Sequence, residues 1–322
     1  MSTGLDFEHP LLELEAKIQR LTALELEQDL GLGAEIRELR GRLERLRVDR
    51  FRQLAPWQKI ALARHPNRPG TTDYMNAFLE DSLELYGDKA FKNDPAIRTC
   101  LGKIDGVRVL LVGHQKGKTT REKIDCNFGC PHPEGYRKAL DKMRLAAKCG
   151  LPIVTLINTP GAYPGITAEE RGQSHAIAVN LMEMAGLPVP IVCTVIGEGG
   201  SGGALGIGVG DVNLMLEHAY YSVISPEGCA SIIFKDAARA PEAADALRLT
   251  SRDILELGIA DEIVPEPLGG AHRDHGQMCA ILKDVILRHL RALKSLPPDE
   301  LLERRYAKLR RLGAHIDAGV PV

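Results

Sequence analysis

The chain has 322 residues, 44% hydrophobic and 26% charged, with 41 Lys plus Arg against 43 Asp plus Glu for a formal charge of −2. That length supplies a buried core for one large domain or two modest ones. The charge balance excludes a global basic field of the kind that holds nucleic acid or an anionic membrane.

Met1 to Pro10 lack the basic start and apolar stretch of a signal peptide. The first unit is residues 1–52. Leu11, Leu14, Ile18 and Leu21 recur at helical spacing, and Ile36, Leu39, Leu43 and Leu46 repeat the pattern beyond Gly31 and Gly33. This predicts an antiparallel helical hairpin, a packing or oligomerisation element. Its Arg-rich run, Arg37 to Arg52, is interrupted by Glu38 and Glu44 and reads as a solvated face. Residues 53–70 hold Trp57 and His65-Pro-Asn-Arg-Pro-Gly70, and are read as a linker.

Residues 71–322 form the main domain. Apolar runs rich in β-branched residues at 107–112, 151–157 and 189–196 predict buried strands, with helices at 134–149 and 168–186. Short strands are expected at 213–216 and 220–224, and helical material from there to the end. The longest apolar run, Leu187 to Ile196, is too short to span a membrane and contains two prolines. The layout is α/β, and a soluble, cytoplasmic protein is expected.

Four segments carry candidate chemistry. After the strand at 107–112, Lys116, Lys118, Arg121 and Lys123 offer charge to a phosphate, and read equally well as a solvated loop. Gly113-His-Gln-Lys-Gly-Lys-Thr119 is one residue too short between its glycines for a P-loop, which excludes an ATP site. The seven cysteines include no CxxC pair, and Cys126, Cys130 and His132 lack a second ligand pair, so no metal is expected. Asn158-Thr-Pro-Gly-Ala-Tyr-Pro-Gly165 is a loop at a strand's carboxyl end, where α/β folds place sites or simply turn.

The richest segment is Gly197-Glu-Gly-Gly-Ser-Gly-Gly-Ala-Leu-Gly-Ile-Gly-Val-Gly210. A strand enters it and a helix of small residues leaves it. Unpaired N–H groups at the helix start, uncovered by any Cβ, make an anion or oxyanion site of main chain. A plain tight turn is the bland alternative. Gly199-x-Ser201-x-Gly203 fits the serine-hydrolase elbow, with Asp211 and His218 as nominal partners. Gly197-x-Gly199-x-x-Gly202 fits a dinucleotide fingerprint, although the helix after it is short for a crossover.

Several stretches together resemble the alpha subunits of bacterial acetyl-CoA carboxylase carboxyltransferase. They are Gly113-His-Gln-Lys-Gly117, Pro133-Glu-Gly-Tyr-Arg-Lys-Ala-Leu140, Thr159-Pro-Gly-Ala-Tyr-Pro-Gly165, Glu169-Glu-Arg-Gly-Gln173, the 197–210 run, Ser222-Val-Ile-Ser-Pro-Glu-Gly-Cys-Ala-Ser231 and Pro265-Glu-Pro-Leu-Gly-Gly-Ala-His272. Leu5-Asp-Phe-Glu8 and Leu14-Glu-Ala-Lys17 fit as well, so the resemblance covers nearly the whole chain.

The resemblance implies a crotonase-type spiral of ββα units behind the helical hairpin. It implies a beta subunit partner in an alpha2beta2 heterotetramer, with biotin carboxylase and a separate biotin carboxyl carrier protein delivering carboxybiotin. The product would be malonyl-CoA from acetyl-CoA, the first committed step of fatty acid synthesis. The backbone N–H groups of Gly202 and Gly203 would face the biotin ureido oxygen. Gly199, Gly200, Ser201, Thr159, Pro160, Gly161, Ala162, Tyr163, Lys116 and Lys118 would bind substrate. The chain lacks the beta subunit's zinc-ribbon cysteines and the Met-Lys-Met setting of a biotinylated lysine. A self-sufficient crotonase-type hydratase or hydrolase, a non-catalytic scaffold and a transferase for another acyl-CoA are the competing readings.

Overall fold

The computed structural model describes residues 5–313. Residues 1–4 and 314–322, which belong to the first and last expected units, lie outside the described residues, as does any role for the tail after Gly313.

Helices α1 (His9–Gln28) and α2 (Gly33–Arg52) meet along Ile18, Ile36 and Leu39, with Leu14, Leu21, Leu32 and Leu43 beside them. The apolar spacing of the sequence is the seam. Asp29 and Gly31 adopt left-handed backbone in the turn. The Glu25 carboxylate accepts from the Leu32 N–H at 2.9 Å, satisfying a donor that the start of a helix leaves open. Charge ties the pair to the main body. Glu8 Oε1 lies 3.1 Å from His272 Nε2 and accepts from Arg273 Nη2 at 2.9 Å, and Glu15 accepts from Arg47 and Arg273 at 2.9 and 2.8 Å.

Residues 53–70, expected as a linker, are integral to the fold. They contain α3 (Pro56–Ala63), whose Ile60 and Ala63 join Tyr220, Ala244 and Leu249 in a buried cluster. Arg68 is buried, forms a two-pronged pair with Glu266 at 2.9 and 2.5 Å, and donates to the Ile196 carbonyl at 2.7 Å. The prolines and glycine mark bends between packed pieces, and at two turns the helix is too short for periodicity to reveal it.

The chain continues through α4 (Thr71–Phe78), β1 (Glu80–Glu84), β2 (Ile97–Ile104), β3 (Val107–His114), α5 (Thr120–Asp125), α6 (Pro133–Lys148) and β4 (Ile153–Thr159). It then runs through α7 (Ile166–Glu170), α8 (Gln173–Ala185), β5 (Ile191–Gly200), α9 (Ser201–Leu205), β6 (Val212–Leu216) and β7 (Tyr220–Ser222). Helices α10 (Pro226–Ile233), α11 (Ala240–Leu247) and α12 (Ser251–Glu256), strand β8 (Glu262–Val264), and helices α13 (His275–Lys294) and α14 (Pro298–Arg311) complete it.

One sheet runs in the order β1-β2-β3-β4-β5-β6-β8, with β7 paired to the end of β5. The first three strands are antiparallel and the rest join in parallel. Strands β4 and β5 are buried along their whole length, which is why they read as continuous apolar runs. Strands β2 and β3 are joined through Asp105 and Gly106, at φ +45° and +76°, the Asp-Gly pair that a two-residue hairpin turn favours.

Arg305 of α14 locks the far side. Fully buried, it pairs with Asp211 through two 2.8 Å bonds and donates to the carbonyls of Met184, Leu187 and Val189. Among the described residues no helix is long and apolar enough to cross a membrane.

Candidate active site

Strands β4 and β5 lie side by side in parallel, with Thr159 in register with Gly199. Their carboxyl ends therefore deliver Thr159–Tyr163 and Gly199–Gly203 to the same edge of the sheet. The two segments are in intimate contact. A Cβ on Gly200 would sit 2.1 Å from the Pro160 carbonyl oxygen, and one on Gly203 would sit 2.4 Å from both Ala162 N and Gly161 C. Only glycine permits that approach. Gly202 differs, since the nearest atom to a Cβ there is Ile177 Cδ1 at 3.8 Å.

Thr159 staples its own loop, its Oγ1 accepting from the Gly161 N–H at 3.0 Å and donating to the Gly161 carbonyl at 2.8 Å. Tyr163 is anchored by its N–H to the Pro131 carbonyl at 3.0 Å and by stacking on His132 at 4.2 Å between centroids. Gln173 Nε2 donates to the Tyr163 carbonyl at 3.0 Å.

At the turn from β5 into α9, Ser201 holds φ at +51°, a conformation that non-glycine residues adopt mainly at constrained turns. The N–H groups of Ser201, Gly202 and Gly203 open α9. Helix geometry gives them no acceptor within the helix, and no side chain caps them. Ser201 is exposed, Gly202 half-buried and Gly203 buried. Such a turn offers main-chain donors to a developing negative charge. Among the described residues, the two nominated relay partners for Ser201 are engaged elsewhere. Asp211 is engaged by Arg305 and the Ile191 N–H, and the His218 N–H donates to Glu266 while its ring sits 6.1 Å from Phe51.

Just before the turn stands a buried carboxylate that sequence reasoning passed over. Glu198 pairs with Lys116, and accepts from Arg64 Nε at 2.7 Å and the Tyr220 hydroxyl at 2.6 Å. Arg64 continues to Glu227 at 2.5 Å. Burial alone would raise the Glu198 pKa, but the Lys116 and Arg64 charges and the attached hydrogen bonds hold it at about 2. The available signal was a single acid inside an otherwise apolar strand.

Lys116 is thus brought to the base of the glycine turn, whereas Lys118 pairs with Asp73 of α4 at 2.5 Å. Both line a cavity of about 140 Å³, together with Arg64, Gln115, Lys123 and Asn158. Asn158 Oδ1 accepts from the Glu198 N–H at 3.1 Å, tying β4 to β5. Elsewhere, ligand atoms of Glu8, His65 and His272 lie within 4.8 Å of one another. The Arg273 guanidinium bound to the same Glu8 oxygen already neutralises it, and the cluster acts as the seam between hairpin and main body.

Comparison with known proteins adds three findings. Residues 4–313 match the family described as acetyl co-enzyme A carboxylase carboxyltransferase-like. The chain is 56% identical over 311 residues to the acetyl-coenzyme A carboxylase carboxyl transferase subunit alpha of Xanthomonas campestris pv. campestris (strain B100), covering 97% of this chain and 98% of that protein. The subunit of the same name from Methylococcus capsulatus (strain Bath) is 55% identical, covering 97% of each. Among solved structures, the transcarboxylase 12S hexamer aligns at a TM-score of 0.58 and 20% identity, over 71% of this chain and 42% of that one. A Pseudomonas malonate decarboxylase hetero-tetramer aligns at 0.57 and 15%, over 74% and 96%. The fold is therefore the crotonase-like carboxyltransferase fold.

Proposed function

The chain belongs to the acetyl co-enzyme A carboxylase carboxyltransferase-like family, and from that premise we propose that its glycine turn holds the charge that develops on a biotin ureido oxygen during carboxyl transfer. Its reaction is carboxyl transfer in acetyl-CoA carboxylase, as the alpha subunit, toward malonyl-CoA for fatty acid synthesis. Carboxybiotin, carried on a separate biotin carboxyl carrier protein, supplies the activated carboxyl group.

One observation carries this reading. The N–H groups of Gly202 and Gly203 stand uncapped at the mouth of β5, with no Cβ over them and the 161–162 backbone locked alongside. Donors fixed before the reaction stabilise developing charge without reorganising. Gly202 is uncrowded, a Cβ there having its nearest neighbour at 3.8 Å, and the donor set is neutral main chain, suited to an oxygen that becomes anionic only in the transition state. Thr159–Tyr163 form the adjoining wall, and Lys116 and Lys118 line the cationic cavity behind it. Ser201 acts through its main chain.

The reaction places charge on two oxygens, one on biotin and one on the acetyl thioester, and the glycine turn described above serves one of them. The second set of donors belongs to a beta subunit, in an assembly of two alpha and two beta chains. The test is malonyl-CoA formation with carboxybiotin on its carrier and saturating acetyl-CoA. This chain alone should be inactive and gain activity when the beta subunit is added. Turnover alone that matched the mixture would overturn the shared-site reading.

A further inference from the structure

A turn built of glycines is the backbone most open to an anion and also the one least able to hold still. Donors that stabilise a transition state must nonetheless be fixed in advance. On one flank the turn is wedged against Gly161 and Ala162. The other flank is held by residues that the oxyanion reading does not use.

The Gly203 carbonyl accepts from the Tyr136 hydroxyl at 3.2 Å inside the core. The Tyr136 ring, on α6, lies so close to Gly206 that a Cβ there would be 2.5 Å from it. Asn180 Nδ2 of α8 bridges the Tyr136 and Gly206 carbonyls at 3.0 and 2.8 Å. His114, at the end of β3, is buried beside the Gly203 main chain. Its Nδ1 faces the Asn158 N–H at 3.4 Å, and its buried Nε2, short of full hydrogen-bond geometry, is the ring nitrogen left for the Gly203 main chain. Burial, and then Lys116, push its pKa down to about 3, so the ring is neutral. With Nδ1 facing an N–H, the proton belongs on Nε2.

We propose that Tyr136 and His114 are positioning residues, which hold the Gly203 peptide from beneath so that the N–H groups of Gly202 and Gly203 stay aimed at the oxyanion. The inference rests on the oxyanion reading of the turn. Neither side chain needs to meet the substrate. Fixing the Gly203 carbonyl fixes the peptide plane that follows Gly203, and through the Gly203 Cα it limits rotation of the plane that carries the Gly203 N–H.

The test uses the full chain assembled with the beta subunit, with kcat measured well below each variant's unfolding midpoint. Tyr136→Phe keeps the ring against Gly206 and deletes only the hydroxyl. His114→Asn keeps an acceptor where Nδ1 stood, and His114→Gln instead places an amide donor where Nε2 stood. Tyr136→Phe and His114→Asn should each lower kcat by about 10- to 100-fold, the scale for a small misplacement of catalytic groups, with KM for acetyl-CoA within about twofold. His114→Gln should recover most of the loss. Wild-type kcat in Tyr136→Phe, equal losses in both His114 variants, or losses expressed in KM would overturn the proposal. Gly203→Ala separates the layers. If it is inactive while Tyr136→Phe and His114→Asn turn over normally, only the positioning role fails. If it is fully active, the oxyanion reading fails.

Discussion

Adding a single methyl group at Gly203 is the sharpest probe of the turn. In Gly203→Ala the new Cβ would lie 2.4 Å from two main-chain atoms of the 161–162 segment, where carbon contacts normally settle at about 3.5–4.0 Å. No side chain can rotate away, so the ends of β4 and β5 must part by more than about 1 Å. Overpacking of this kind costs about 1–3 kcal/mol in stability. The larger effect falls on catalysis, because a displaced N–H no longer meets the developing charge. Loss of one such donor costs about 3–4 kcal/mol of barrier, on the order of 10²–10³ in kcat. Urea unfolding of the chain and malonyl-CoA formation by the complete complex measure the two separately. Ser201→Ala is the control, because Ser201 is exposed and contributes main chain alone, and its kcat should stay within about threefold of wild type on the scale of an exposed substitution. A Gly203→Ala enzyme with full turnover, or a Ser201→Ala enzyme with none, would refute the reasoning.

Three further outcomes are expected. Arg305→Ala strands Asp211 as a buried, unpaired carboxylate and frees three carbonyls; it should cost about 3–5 kcal/mol in urea unfolding, and near-wild-type stability would contradict the clamp. Glu198 and Glu266 are both held at about 2 against the usual 4.5. Their stabilisation is complete above pH 4.5 and disappears as pH falls toward 2, so Glu198→Gln should flatten the fall of the unfolding midpoint across that window, and an unchanged slope would count against the network. Lys118→Ala should raise KM for an anionic substrate and leave stability within about 0.5 kcal/mol, as an exposed pair allows. Lys116→Ala should destabilise, because it leaves Glu198 short of a partner, and the reverse pattern would reassign the two lysines.

The interior strands and the hairpin helices were legible because burial writes a simple pattern. The runs at 151–157 and 189–196 are apolar because β4 and β5 are covered on both faces. Strand β2 was missed because Arg98, Gly102 and Lys103 dilute its pattern, and the Asp105-Gly106 pair that turns it into β3 went unread. Residues 53–70 misled because proline and glycine signal bends without saying whether the pieces between them are packed. At the site, the glycine turn and the Thr159 loop were visible as motifs, but their contact arises from strand register, which no local pattern encodes. Arg64 lies 134 and 156 positions from Glu198 and Tyr220, and only the folded chain brings the three together. The specific assignment to carboxyl transfer came from resemblance and not from periodicity or spacing.

The clamp on Asp211 also bears on how the chain is made. Asp211 is synthesised 94 residues before Arg305, and at ribosomal rates that interval is roughly 5 to 20 s. Until then the acid beside the start of β5 has no guanidinium, and the Leu187 and Val189 carbonyls beyond α8 lack the donor that Arg305 brings. A nascent chain can therefore build the central strands early but cannot seal their far side until α14 emerges. An interrupted chain would carry an exposed seam beneath an otherwise formed sheet, which quality-control proteases can recognise. Arg305 thus makes synthesis through α14 a condition of a sealed core.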